Sequence, residues 1–183
     1  SQRPLDLTQL SLLISETCKD LSEVKHELIL QETLRNLYDG MPILEIDKAL
    51  IISARTLVEQ DPNYTYATAR FLLRTLYTEA LDFLELPTAV YTNNHAGVYH
   101  HYFQHYIKRG VALELLDPQL RSFDLEKLGK ALLPERDQQF TYLSLQTLYD
   151  RYFLHADDVR FELPQAFFMR IAMGLAQQES NKE

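Results

Sequence analysis

Glu135-Arg136-Asp137-Gln138-Gln139-Phe140-Thr141-Tyr142 opens the stretch that decides the fold. It runs on through Leu145, Leu148, Tyr149 and Tyr152. After a polar loop come Val159-Arg160-Phe161-Glu162-Leu163-Pro164-Gln165 and then Phe167-Phe168-Met169-Arg170-Ile171-Ala172-Met173-Gly174-Leu175-Ala176. Leu145, Leu148, Tyr149 and Tyr152 stand at i, i+3, i+4 and i+7, one apolar face of a helix. Phe161 and Leu163 alternate with charged neighbours, the pattern of a short strand. Pro164 suits the first turn of a following helix, where its missing N–H costs little. Glu135, Arg136 and Asp137 precede the Phe140 helix, where acidic groups complement the helix N-terminus. Arg136 with Asp150, or Asp137 with Arg151, could pair at the surface for ~0–1 kcal/mol.

Upstream, the apolar periodicity predicts four amphipathic helices joined by short links, as in an antiparallel bundle. Asp6 caps the first, with Gln9 at capping-box spacing, and Leu7, Leu10, Ile14, Cys18 and Leu21 form its stripe. Ser22 to Tyr38 reads as the second, closed by Asp39-Gly40 with Gly40 in the left-handed position after the helix. Ile46, Ala49, Leu50, Ser53, Ala54 and Leu57 mark the third, stopped by Asp61-Pro62, because the residue before proline avoids the helical region. Ala69, Leu73, Leu76, Tyr77, Ala80 and Leu84 mark the fourth. Residues 86–95, with Pro87 and Asn93-Asn94, read as a linker. Beyond it, Tyr99, Tyr102, Phe103 and Tyr106 make an aromatic stripe. Asp117-Pro118 breaks the chain, and Leu125, Leu128 and Leu132 give a short helix before Pro134. The expected fold class is mainly α: a helical bundle over 1–85, the linker, and a second helical domain over 96–183 with at most a short strand pair.

Composition bounds the function classes. The chain has 183 residues, with an apolar fraction of 46% and an aromatic fraction of 11%, which supports a real core. Five glycines and seven prolines exclude a low-complexity chain. The net charge is −8, from 26 acidic and 18 basic residues. That balance disfavours nucleic acid or an anionic membrane as partner. A single cysteine, Cys18, excludes an intrachain disulfide and fits a reducing cytoplasm. No apolar run reaches the length of a transmembrane helix. The opening at Ser1 without Met and the polar tail Gln177 to Glu183 read as cut ends of a longer chain.

The ordered runs Arg-Asp…Phe-x-Tyr…Leu-Tyr-Asp-Arg-Tyr and Glu-Leu-Pro-Gln…Met-Arg-Ile-Ala-Met-Gly of the second half resemble the N-terminal helical region of the large subunit of class I ribonucleotide reductase. In the first half, Tyr38-Asp39-Gly40, Glu45-Ile46 and Tyr64-x-Tyr66-Ala67-x-Ala69-Arg70 resemble the helical part of an ATP-cone, the regulatory module that precedes the reductase barrel. The resemblance implies a cone without its opening β-hairpin, the part that closes over the phosphates. It departs from nucleotide-binding cones at four positions. Gln9 and Thr78 stand where such cones carry lysines, and Ile43 and Asp47 stand where they carry Thr and His. A triphosphate needs positive charge and donors. The resemblance therefore implies a degenerate cone that keeps its scaffold and binds no nucleotide.

Other candidates have blander readings. Cys18 lies on an apolar stripe with no base indicated nearby, so it reads as a small core hydrophobe and not a nucleophile. His95, His100, His101 and His105 have metal-like spacing, but no Cys joins them and no Glu lies between His101 and His105; a solvated helix face is the expectation. The Tyr99–Tyr106 stripe reads as core, not as a base-stacking surface.

The resemblance thus implies a regulatory and scaffold fragment of a ribonucleoside-diphosphate reductase large subunit. No catalytic residue, nucleotide site, metal or cofactor is expected in the fragment. The parent is expected to use ATP and dATP as allosteric effectors and a radical from a metal-containing small subunit. The expected partners are the rest of the large subunit and that small subunit, in an oligomeric, cytoplasmic parent, with no nucleic acid and no membrane. The alternatives are a stand-alone nucleotide-sensing module, against which the lack of a Cys-rich zinc ribbon argues, and a helical adaptor with no catalytic parent.

Overall fold

The computed structural model describes residues 5–88 and 97–179, and these are mostly helical. The helices are α1 (Leu7–Thr17), α2 (His26–Asn36), α3 (Ile43–Thr56), α4 (Tyr64–Phe83), α5 (Val98–Ala112), α6 (Leu125–Ala131), α7 (Tyr142–Arg151) and α8 (Pro164–Leu175). Strands β1 (His155–Ala156) and β2 (Val159–Arg160) pair antiparallel, His155 opposite Arg160 and Ala156 opposite Val159. Asp157 and Asp158 between them take φ of 50° and 62°, the backbone that a two-residue hairpin turn needs. No helix among the described residues is long and apolar enough to cross a membrane.

The chain divides into two compact units, residues 1–75 with 140–146, and residues 76–139 with 147–183. The first unit holds α1, α2, α3 and the first half of α4. Its core joins Leu10, Ile14, Cys18, Ile29, Leu50, Ala54, Leu57, Tyr64, Ala67 and Phe71. Asp6 caps α1 as its sequence suggests, accepting from Thr8 N at 2.9 Å and Gln9 N at 3.2 Å. At the other end, Arg70 of α4 donates to the carbonyls of Thr17 at 3.0 Å and Lys19 at 2.7 Å, satisfying groups that a helix end leaves open. Helix α2 is shorter than the Ser22–Tyr38 expectation. Asp20 and Glu23 take left-handed φ values of 64° and 65°, which no helix interior accommodates. Lys25 then enters the helix in an extended conformation, its N–H donated to the Tyr64 hydroxyl at 3.1 Å. Gly40 has φ 85°, left-handed as expected, but it does not close the helix: α2 ends at Asn36 and Leu37 leaves it in an extended conformation.

The second unit is built on α5. Its Val98, Tyr99, Tyr102, Phe103, Tyr106 and Ile107 all have 0% exposure, so the aromatic stripe is core. Gly129 of α6 lets that helix come close: a Cβ there would lie 3.2 Å from the Tyr99 carbonyl oxygen and 3.3 Å from Phe103 Cβ. The second half of α4 belongs to this unit. Its Phe83 stacks on Phe161 at 5.0 Å between ring centroids. The sequence placed the whole of that helix before a boundary at residue 85, whereas the division falls inside it at Thr75–Leu76. Of the expected linker, residues 89–95 lie outside the described residues.

Two local expectations fail. Phe161 to Leu163 is not a strand, because the hairpin ends at Arg160; Phe161, Glu162 and Leu163 are all fully buried, which no alternating half-buried strand allows. Tyr152 leaves the α7 stripe at 55% exposure, one residue beyond the helix end, and Phe153 turns inward in its place.

Candidate functional site

Tyr99, Tyr102 and Tyr106 recur on one face of α5 and bury three phenols, each of which needs a partner. The partners come from segments that the sequence reading treated as surface or strand. Tyr99 donates its hydroxyl to Asp137 Oδ2 at 2.7 Å and accepts from Gln165 N at 3.1 Å. Tyr77 of α4 donates to the same carboxylate oxygen at 2.6 Å. Tyr102 donates to the Phe161 carbonyl at 2.7 Å and accepts from Leu163 N at 2.9 Å. Tyr106 donates to Glu162 Oε1.

Two buried carboxylates organise this network. Asp137 is 2% exposed, in a 3-10 turn over Pro134–Gln139. Its other oxygen accepts from Gln165 Nε2 at 3.2 Å, and Gln165 also holds the Leu133 peptide through both of its amide atoms. Burial pushes the Asp137 carboxyl up to about 6; its three donors pull it back part of the way and Glu135 adds to the rise. Asp137 is therefore neither a surface charge at a helix end nor an ion-pair partner of the exposed Arg151, because the turn carries it into the core before α7 begins. Glu162, 0% exposed, is balanced by charge. Arg170 of α8 donates to it through Nε and through Nη2 at 3.3 Å, and Leu154 N donates at 2.9 Å. Burial holds all four phenols, Tyr77, Tyr99, Tyr102 and Tyr106, well above their ordinary range. With both carboxylates saturated by donors and closed to solvent, the arrangement fixes structure and presents no nucleophile to a substrate.

The sequence could have exposed this network through one signal. Three tyrosines on one buried helix face demand acceptors, and Asp137 and Glu162 are two of the three acidic residues in the quoted motifs of the two ordered runs. The missing piece was the assignment of those carboxylates to the core.

The other sequence candidates lie on several elements. Gln9 is exposed on α1. Ile43 begins α3, and its side chain lies outside the described residues. Asp47 is partly buried on α3, its carboxyl raised by burial and lowered less by Arg74. Thr78 is exposed on the second half of α4. Cys18 is buried in the first unit's core, its thiol pushed up to about 11 by burial against a smaller opposing effect of Arg70. His101 and His105 are exposed on α5, and His105 Nδ1 donates to the His101 carbonyl at 2.8 Å. His100 lies 4.0 Å from Glu126, and His95 falls outside the described residues. Among the described residues no group of three or more His, Cys, Asp or Glu is placed to hold a metal ion.

Comparison with known proteins agrees with the ordered runs. Residues 138–183 match the model of the ribonucleotide reductase all-alpha domain. Over 96% of its length the chain is 37% identical to the ribonucleoside-diphosphate reductase subunit alpha of Chlamydia muridarum, of which it spans 16%. Over 98% of its length it is 34% identical to the subunit alpha of Helicobacter pylori, of which it spans 22%. The ribonucleoside-diphosphate reductase large subunit of monkeypox virus is 25% identical over 81% of the chain, which spans 18% of it. The match over nearly the whole chain supports a reductase large subunit over a free-standing sensor or adaptor. Over nearly its whole length the chain is thus similar to the N-terminal region of ribonucleoside-diphosphate reductase large subunits, of which it spans about a fifth.

Proposed function

We propose that this chain is a scaffold and regulatory region of a ribonucleoside-diphosphate reductase large subunit, whose whole length reduces ribonucleoside diphosphates to deoxyribonucleotides. The rest of that subunit supplies the chemistry, and a metal-containing small subunit supplies the radical. ATP and dATP act on the parent at sites other than this one, and the assembly works in the cytoplasm. The reading without catalysis rests on Cys18: substrate reduction through thiols needs several reactive cysteines, and the one thiol of this chain is buried and held protonated at neutral pH.

The reading of a degenerate cone rests on Asp47 above all. Its carboxylate occupies a position where a triphosphate needs a donor, and Gln9 and Thr78 add no charge. The amides of Thr8 and Gln9 at the start of α1 are already taken by Asp6. Two missing charge-assisted hydrogen bonds, at ~1.5–3 kcal/mol each, weaken binding by roughly two to four decades. Calorimetric titration of the chain with dATP is expected to give no saturable heat below millimolar ligand; a dissociation constant of micromolar order refutes the degenerate-cone reading. With small subunit, reductant and a ribonucleoside diphosphate supplied, the chain alone is expected to form no deoxyribonucleotide above the blank.

A further inference from the structure

Helix α5 turns its phenols inward and an acid-free stripe outward. Val98–Ala112 holds no Asp or Glu, in a chain with 26 acidic residues and a net charge of −8. Its exposed polar residues are His101, Gln104, His105, Lys108 and Arg109. The first four stand at i, i+3, i+4 and i+7, so they share one face over roughly 10 Å of helix. Arg121, exposed in the 3-10 turn Pro118–Ser122, donates Nη2 to the Lys108 carbonyl at 3.4 Å and brings a third cation to the end of the stripe. The Arg109 guanidinium carbon sits 5.3 Å from the centre of the Phe83 ring, which holds that side chain in place. None of Lys108, Arg109 and Arg121 forms an ion pair with a described residue. Nearby acids are engaged within their own segments: Asp117 accepts from Gln119 N, Asp124 from Lys127 N, and Glu126 from Lys130. The negative end of α5 favours Lys108 and Arg109 in its last turns. It does not account for the lack of any acid back to His101, nor for three cations left without counter-charge in an acidic chain.

We infer that Lys108, Arg109 and Arg121, with His101 and His105 behind them, form a docking surface for an acidic segment of a separate polypeptide. Charge complementarity assigns the occupant. Guanidinium groups take carboxylates through two parallel hydrogen bonds, and the Lys108 ammonium adds a point charge. An acidic segment is repelled by a surface of net charge −8 and steered to a stretch where cations stand without acids. A nucleic acid or an anionic membrane brings its charge against the acidic surface around the stripe as well, whereas a short peptide meets the stripe alone.

The test titrates a fluorescein-labelled oligoglutamate peptide into the chain and follows anisotropy. Saturable binding is expected, weakening as salt rises from about 50 mM to about 300 mM. Lys108→Gln with Arg121→Gln removes two exposed ion pairs and is expected to weaken binding about five- to thirtyfold. Lys48→Gln with Arg151→Gln makes the same change in net charge at exposed positions outside the stripe and is expected to weaken it less than about twofold. Lys108→Arg with Arg121→Lys keeps both charges and is expected to restore binding to within about threefold of wild type. All three variants are expected to melt within about 1–2 °C of wild type, since the substituted side chains face water. Absence of saturable binding to the wild type overturns the inference. Equal weakening by the two glutamine pairs overturns it too, because net charge then suffices. Oligothymidylate or phosphatidylserine vesicles binding as tightly as the peptide, with the same loss in Lys108→Gln with Arg121→Gln, assign the stripe to anions at large and overturn it as well. A chain that sediments as a dimer and becomes a monomer with those two substitutions assigns the stripe to a second copy instead.

Discussion

Replacing Asp137 by asparagine is expected to remove a pH dependence of stability that this one carboxyl creates. Asp137 is 2% exposed and accepts from Tyr77, Tyr99 and Gln165, yet burial outweighs those donors and raises its pKa from 3.8 to about 6. A carboxyl whose folded pKa lies above the unfolded value holds more protons folded than unfolded between the two. Its contribution to stability is complete below pH ~4 and is lost as pH rises through 6. The whole shift, about two pKa units at 1.36 kcal/mol each, amounts to roughly 3 kcal/mol, and about 2 kcal/mol of it falls between pH 4 and pH 7. Other carboxylates titrate over the same range, so the measured quantity is the difference between the two proteins. Urea unfolding of the wild-type chain and of Asp137→Asn is followed by circular dichroism at half-unit intervals from pH 4 to pH 7.5. The stability of the wild type minus that of the variant is expected to fall by about 2 kcal/mol across this span, with its midpoint between pH 5 and 6. A flat difference refutes the reasoning and means that the three donors already match the burial cost. A difference that rises with pH means that the folded carboxyl lies below its ordinary value and that the hydrogen bonds dominate.

Arg170→Met is expected to destabilise the chain by ~3–5 kcal/mol in chemical unfolding, because Glu162 at 0% exposure loses its only cation among the described residues; a loss below ~1 kcal/mol refutes that pairing. Gly129→Ala and Gly174→Ala, both in helices, are expected to differ in sign. The first drives a Cβ to 3.2 Å from the Tyr99 carbonyl and costs ~1–3 kcal/mol, whereas the second meets nothing within 4 Å and gains ~0.5–1 kcal/mol in the 183-residue chain, both read from thermal melts. Cys18 is expected to resist a thiol-modifying reagent at pH 7.4 in the folded chain and to react within minutes in denaturant, since burial carries its thiol to about 11; fast labelling of folded protein contradicts the buried placement.

The helices were legible because their apolar spacing is dense. Ile46, Ala49, Leu50, Ser53, Ala54 and Leu57 fall inside α3 or its 3-10 extension, Asp6 caps α1, and Pro164 opens α8. The start of α2 was not legible, because the left-handed Glu23 just before it is not the glycine, asparagine or aspartate that announces such a break. The strand expected at Phe161 failed for a different reason. Alternation is a signal only when the intervening residues reach water, and Glu162 between Phe161 and Leu163 is as buried as they are.

Glu162 and Asp137 also explain why the network at the centre of the second unit stayed hidden. Sequence position assigns a charged residue to the surface unless its partners are known, and here the tyrosine partners are all distant along the chain. Asp137 is met by Tyr77 and Tyr99, 60 and 38 residues away, and Glu162 by Tyr106, 56 residues away. Local pattern identifies α5 as buried and stops there. The burial of its three phenols then requires acceptors that no nearby residue supplies, and this requirement recruits the two carboxylates from the later segments. The ordered Arg-Asp and Glu-Leu-Pro-Gln runs therefore encode a buried hydrogen-bond lattice, in which Asp137, Glu162 and Gln165 anchor the phenols of Tyr77, Tyr99 and Tyr106 in one second-unit core.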